Sequence, residues 1–312
     1  MRTIGLSADQ LRRALPALSL VILLAAIFYI QPRTMSYFGL NLMLQYAVPI
    51  ALATLAQMFV IAVNDLDLSI GSFVGLTACI AGVYLQDEPL LGWTLLALCI
   101  AAYAGMGALI HLRSLPSIVV TLGMSFVWLG LAVLILPTPG GSAPDWLKTL
   151  MGFKLPLLPF PIVAALVIAI VVQLGLMHSS YGVVLRGAGG NPRAVSRAGW
   201  SLLKTKMTMF GLAGIFGVLS GLSLVGLTTS ADAHIADRYT LYSIAGVILG
   251  GGEFIGGRVS PAGAVLGAIT LALAGSFLIF LRISPDWQIG AQGAILIIVL
   301  ALRAAITRAA VR

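Results

Sequence analysis

The sequence predicts an all-α, polytopic transmembrane bundle, and three observations carry that prediction. Of 312 residues, 60% are hydrophobic and only 9% charged, with a mean hydropathy of +1.06. A soluble domain carries about 25% charged residues, so this chain cannot cover a water-facing surface and its solvent is largely lipid. The apolar residues fall in many blocks of roughly twenty, the length a helix needs to cross about 30 Å of hydrocarbon. The blocks show no alternation, and in lipid the backbone must satisfy its own hydrogen bonds. They are therefore read as helices and not as barrel strands.

Taken in order, the blocks place spans at about 16–30, 42–63, 68–86, 90–110, 117–136, 161–178, 207–228, 240–252, 261–281 and 289–303. The first follows Arg12 and Arg13 without a small-residue cleavage site, so it reads as a retained helix. The eighth is short enough to be a broken or partial span. Charge tests the count independently. With the N-terminus inside, Arg2, Arg12, Arg13, Arg113, Arg186, Arg193, Arg197, Lys204, Lys206, Arg258, Arg303, Arg308 and Arg312 are cytoplasmic. Arg33, Lys148, Lys154, Arg238 and Arg282 are outside, which accounts for all 18 basic residues. One span more or fewer would spoil this bias, so ten spans with both termini cytoplasmic fit best. The same bias explains the net charge of +8 without nucleic acid. Residues 1–312 form one domain, with a proline-rich outer loop at about 137–160 and a basic cytoplasmic loop at about 179–206.

Small residues one turn apart let helix backbones approach closely, and such pairs occur at Gly71/Gly75, Gly217/Gly221, Gly246/Gly250 and Gly263/Gly267. Cys79 and Cys99 lie inside apolar stretches, which argues against a disulfide framework or a metal site. His111, His178 and His234 sit apart at span ends, with no nucleophile or ligand set beside them. Hydrolytic and redox chemistry find no support.

Three segments carry chemistry. The first is Asn64-Asp65-Leu66-Asp67-Leu68-Ser69-Ile70-Gly71-Ser72, between the second and third spans. Carboxylates at membrane depth mark a site or pathway. In an ordinary turn, Asp67 or Ser69 would instead cap the next helix, with Asp67 complementing its dipole. A proton or cation relay would need an ionisable partner, and none falls in the neighbouring spans.

The second segment runs from Arg186 to Gly199. Asn191 suits an N-cap, Pro192 the first helical position, and Gly199 a left-handed end. A helix of about two turns is marginal alone in water, so it docks onto a partner or lies on anionic lipid headgroups. The third, Gly250-Gly251-Gly252-Glu253-Phe254-Ile255-Gly256-Gly257-Arg258-Val259-Ser260-Pro261, leads into the ninth span. No Lys-Ser/Thr follows it, and the chain shows no Walker loop. A flexible re-entrant break fits better, with Glu253 and Arg258 as a weak exposed pair.

In this order and at these separations, the three segments resemble the permease subunits of ribose-, xylose-, arabinose- and galactose-type ABC importers. That family shows Gly-Gly-Ile-Asp-Leu-Ser-Val-Gly-Ser after its second span. Here Leu66-Asp67-Leu68-Ser69-Ile70-Gly71-Ser72 matches, while Asn64-Asp65 replaces the two glycines. In its Arg-Ala-x-Gly-x-Asn-x-x-Ala-Ala-x-x-x-Gly loop, Arg186, Gly189 or Gly190, Asn191, Ala194 and Gly199 correspond, while Gly187 and Val195 replace alanines. The run through Gly251, Gly256, Gly257, Ser260, Gly263 and Gly267 resembles the family's Gly-Gly-x-Gly-Ser element.

The resemblance implies a translocation pore formed by two permease copies or homologues in a bacterial inner membrane. Two ATPase subunits dock beneath it, and a periplasmic binding protein delivers the solute. ATP and Mg would sit on the ATPase, with no cofactor on this chain. Arg186, Gly190, Asn191, Pro192, Arg193, Ala194, Arg197 and Gly199 would form the ATPase-coupling element. Asn64, Asp65, Asp67, Ser69, Gly71, Gly251 and Gly252 would border the translocation pathway. The implied solute is a monosaccharide or related polyol. Related permeases carry nucleosides, autoinducer sugars or amino acids, and an ion-coupled secondary transporter is the rival class.

Overall fold

The computed structural model describes residues 8–281 and isolated positions from 287 to 301, with side chains described from Pro16 onward. Among the described residues the chain is helical and has no strand, apart from an isolated bridge between Gly140 and Ala231. The helices are α1 (Ala8–Ile30), α2 (Tyr37–Leu44), α3 (Ala47–Ile61), α4 (Ile70–Tyr84), α5 (Pro89–Leu112), α6 (Ser117–Ile135) and α7 (Asp145–Met151). They continue with α8 (Phe160–Ile170, prolonged by a π-helical stretch Val171–Met177), α9 (Ser180–Gly190), α10 (Pro192–Arg197), α11 (Leu202–Thr228), α12 (Tyr239–Leu249) and α13 (Pro261–Phe280).

Six stretches among the described residues are long and apolar enough to cross a membrane: Tyr37–Ile61, Pro89–Leu112, Ser117–Ile135, Phe160–Met177, Leu202–Thr228 and Pro261–Phe280. Each falls on an expected span. The first, third and eighth expected spans correspond to shorter apolar helices, Pro16–Ile30, Ile70–Tyr84 and Tyr239–Leu249. The tenth, 289–303, falls where only isolated positions are described.

Burial separates a centre from a periphery. Every residue of α3 is buried, and α11, α12 and α13 pack around it. In contrast, only 17% of the apolar window of α6 and 28% of that of α8 are buried. Phe126, Leu134, Leu166 and Leu174 point outward. Helices that keep small residues inside and display leucine outside are built for a lipid solvent, where packing and not hydrophobic burial drives association.

The glycine pairs supply that packing. Gly250, just past α12, and Gly263 of α13 meet backbone to backbone, a methyl on Gly267 of α13 would overlap the Gly246 carbonyl, and one on Gly246 would overlap Thr54 of α3. Gly217 and Gly221 of α11 receive Phe73 and Thr77 of α4. Along α4 itself, Gly82 faces Ala231, Gly75 faces Ala233, and Gly71 faces Ala236 and Thr240. Residues 229–238 therefore fold back into the bundle beside α4, and α12 begins inside it. At 1.5 Å per residue, the 11 residues of α12 extend about 16 Å, roughly half a bilayer core.

The helix directions gather Arg113, Arg186, Arg193, Arg197, Lys204, Lys206 and Arg258 at one end, here the basic end. Arg33, Lys148, Lys154 and Arg238 lie at the other. Two expectations are corrected. The stretch 179–206 is largely helical, holding α9, α10 and the first turn of α11, because Ser179 and Ser201 each cap a helix through their side chains. The eighth span stops at Leu249, where Gly251 turns to φ +97°. The proline-rich loop at about 137–160 carries α7, whose Trp146 stacks on Trp93 at 6.4 Å.

Candidate functional site

Asp67 is fully buried between α3 and α4. Its Oδ1 accepts hydrogen bonds from the Ser69 N–H and hydroxyl, each at 2.7 Å, and its Oδ2 accepts from Tyr103 of α5 at 2.5 Å. With its amide oriented so that donors meet acceptors, Gln57 of α3 pairs with the Asp67 carbonyl (3.0 Å) and N–H (3.2 Å). Thr121 and Ser117 of α6 accept from the backbone N–H groups of Leu68 and Leu66, both at 3.1 Å. Tyr103 in turn packs on Phe73 at 4.2 Å and on Trp128 at 6.1 Å. The Asp67 segment thus joins α3, α4, α5 and α6, its carboxyl through Ser69 and Tyr103 and its backbone through Gln57, Ser117 and Thr121. A polar side chain this deeply buried is tolerated because hydrogen bonds satisfy it.

The capping expectation is corrected for Ser69. It occupies the N-cap position of α4 but makes no side-chain cap, because its backbone is helical and its hydroxyl is turned to Asp67, whose Oδ1 takes the Ser69 N–H instead. The free Gly71 N–H is capped from across the bundle by Thr240 Oγ1 at 3.0 Å.

Just upstream, at Asn64 and Asp65, the chain forms a clasp at the basic end. Asn64 has φ +61°, a left-handed conformation that asparagine tolerates better than most residues. This is where the resembling family carries glycine, so the replacement keeps the backbone shape. It also adds two bonds. Asn64 Nδ2 donates to the Gly189 carbonyl at 2.7 Å, and Asn64 Oδ1 accepts from the Gly256 N–H at 3.0 Å. Asp65 lies 2.8 Å from Lys206 of α11, with the two side chains 10% and 20% exposed. A methyl on Gly189 would overlap the Ala62 carbonyl, and one on Gly257, at φ +66°, would overlap the Arg186 carbonyl. The clasp therefore locks the α3 terminus, the α9 terminus, the glycine-rich loop and the start of α11 together.

Beyond the clasp, α10 projects. Asn191 Oδ1 accepts from the Ala194 N–H at 3.0 Å, Pro192 opens the helix, and Gly199 ends it at φ +85°. Val195 is buried against α9, whereas Arg193, Ala194 and Arg197 are exposed. Arg186, Gly190, Gly251, Gly257 and Arg258 line an open cleft of about 710 Å³ beside it. The Glu253–Arg258 pair spans 3.9 Å and is largely exposed, so it contributes little.

The segments singled out in sequence thus fall into two places. Asp67 and Ser69 are enclosed in the core with Gly71 packed beside them. Asn64, Asp65, Arg186, Gly190 and Gly251 meet at the basic end, next to α10, and Gly252 is buried against Val247. Gln57, Tyr103 and Lys206 complete these sites. Sequence reading did not single them out, since a lone polar residue inside or at the start of an apolar block carries no local signal of its partner.

Lipid-facing helices around a glycine-packed centre, interrupted by broken helices, are the build of a multi-pass membrane protein. The family described as branched-chain amino acid transport system, permease component, matches residues 39–300, and the chain belongs to it. A ribose import permease of Bacillus subtilis is 29% identical over 297 residues, covering 92% of this chain and 91% of its own. A galactose/methyl galactoside import permease of Escherichia coli is 27% identical over 310 residues, 91% of each chain. An autoinducer 2 import system permease of Klebsiella pneumoniae is 28% identical over 264 residues, 80% and 78% of the two chains. No solved structure is a significant match.

Proposed function

We propose that this chain is the membrane-spanning permease of an ABC importer for a monosaccharide or related polyol. In this reading it is powered by separate ATPase subunits and fed by a periplasmic binding protein. The observation that carries it is α10: a capped helix of six residues with its outer face free, tied through the clasp to the helices of the core. Such an element suits docking into a partner's groove, and its ties pass a push or pull on α10 directly to α3 and α11. Closure of an ATPase dimer would then rock the bundles and expose the pathway alternately to each side. The relatives whose names specify ribose, galactose and autoinducer 2 import support the solute class. Ten spans with both termini cytoplasmic, two permease copies and the bacterial inner membrane complete the proposal. They are supported by the six long helices, the three shorter ones and the sorting of charge between the ends.

Of the residues given to the pathway, Asp67 and Ser69 support it from behind in this proposal, and Asn64 and Asp65 serve coupling. The test is deletion of residues 191–199. The chain should insert normally, while ATPase co-purification and uptake are lost. Retained ATP-driven uptake would overturn the assignment.

A further inference from the structure

At the end opposite the clasp, α3, α11, α12 and α13 leave a cavity of about 520 Å³, inside the size range of small-molecule sites. It is reached where α3 begins and α11 ends, and it descends to Tyr239, at the start of α12, where residues 229–238 have folded back into the bundle. Tyr46, Tyr239 and Tyr242 contribute rings to the lining, with Tyr46 41% exposed and Tyr239 closing the inner side at 7%. Each ring offers a flat apolar face and a hydroxyl.

The charged lining comes as neighbours of opposite sign. Asp237 contacts His234 at 3.0 Å, and Arg238 hydrogen-bonds Tyr242. An anion would want an excess of basic groups, and a free amino acid would want its two charge partners held apart and unengaged. Neither condition is met. Ser276 donates its hydroxyl proton to the Met43 carbonyl at 3.2 Å, which leaves its oxygen able to accept from a ligand hydroxyl. Aromatic faces for C–H surfaces, balanced charges and spare acceptors are the recognition chemistry of a neutral polyhydroxyl compound.

We propose that this cavity is the entry site for a neutral solute of monosaccharide size, with Tyr46 and Tyr239 as stacking faces and Asp237, Arg238 and Ser276 as hydroxyl partners. The proposal rests on the importer reading and adds a place and a chemistry to it.

The test uses the full chain in nanodiscs with Thr228→Cys, a lining position, as reporter. Cys79 and Cys99 are buried and do not compete. The rate of labelling by a hydrophilic maleimide is measured alone and with D-ribose, D-galactose or L-leucine at high millimolar concentration. One of the two sugars should slow labelling severalfold, and leucine should not. Tyr46→Leu should raise the half-protecting sugar concentration about tenfold, as loss of one good contact does. Tyr46→Phe, which keeps the ring, should raise it much less. Because Tyr46 is partly exposed, its variants test the site even if Tyr239→Leu fails to fold. Protection by leucine alone, no protection by either sugar, or protection indifferent to Tyr46→Leu would overturn the proposal. ATP-driven sugar uptake by a chain that shows no protection would sink the cavity and spare the importer reading. Absence of both would sink the two together.

Discussion

At the basic end, Asn64, Asp65, Lys206, Gly189 and Gly257 hold four chain segments so closely that single methyl groups have no room. At the opposite end, three tyrosines stand around about 520 Å³ of open space. The difference suits the two roles proposed for these ends. A junction that passes motion has to be stiff, and stiffness comes from backbone contact and paired polar groups. A chamber that receives solute has to leave room and offer adaptable partners. Between them, the Asp67 node fixes α3 to α6 and gives the moving parts a common frame.

Variants can break this contrast in graded steps. The largest loss is expected at the frame. Asp67→Ala orphans the Ser69 N–H and leaves the Ser69 and Tyr103 hydroxyls, 3.1 Å apart, only each other, so that one of the two also loses its acceptor, at about 1–3 kcal/mol for each buried donor. Thermal unfolding in detergent should show a loss of about 3 kcal/mol or more, and transport should suffer far more than in Asp145→Ala. At the clasp, Gly189→Ala drives a methyl into the Ala62 carbonyl, and overpacking of that kind costs about 1–3 kcal/mol. The same unfolding measurement should register it without loss of membrane insertion.

Lys206→Ala leaves Asp65 partly buried without its partner, and a loss of about 1–2 kcal/mol is expected after allowing for partial exposure. A double-mutant cycle with Asp65→Ala should recover part of that loss. Removing the α10 cap by Asn191→Ala costs about 1 kcal/mol of helix stability. ATPase affinity should then weaken by about fivefold in a pull-down titration. Smallest of all, Asp145→Ala breaks an exposed pair with Lys148 and should stay within about 0.5 kcal/mol of the native chain.

Much of the frame was legible because membrane helices announce themselves by length and hydropathy. The signals at α10 were local too: Asn191, Pro192 and Gly199 do what their positions in the sequence suggest. What escaped was everything that depends on distant partners. Asp67 stood out as a costly charge, but Tyr103 lies 36 residues away and gave no sign of being its donor. Asn64 departs from the glycine pattern of the resembling family, and nothing local to that turn names its partners. Its two bonds reach 125 and 192 residues along the chain, which no local pattern encodes. Thr240 capping α4 in place of Ser69 belongs to the same class. The cavity at the far end was invisible for a further reason, since its tyrosines come from the starts of two helices far apart in sequence, α3 and α12.

The most direct measurement is the ratio of solute imported to ATP hydrolysed in proteoliposomes holding the complete importer with Gly257→Ala. This variant strains the clasp without touching α10 or the cavity at the opposite end. Asn64→Gly, which removes side-chain bonds but keeps the left-handed backbone, serves as the mild comparison. The expected result is bound ATPase, continued hydrolysis and a severalfold lower ratio for Gly257→Ala, with a smaller fall for Asn64→Gly. A native ratio in Gly257→Ala would contradict the coupling role of the clasp.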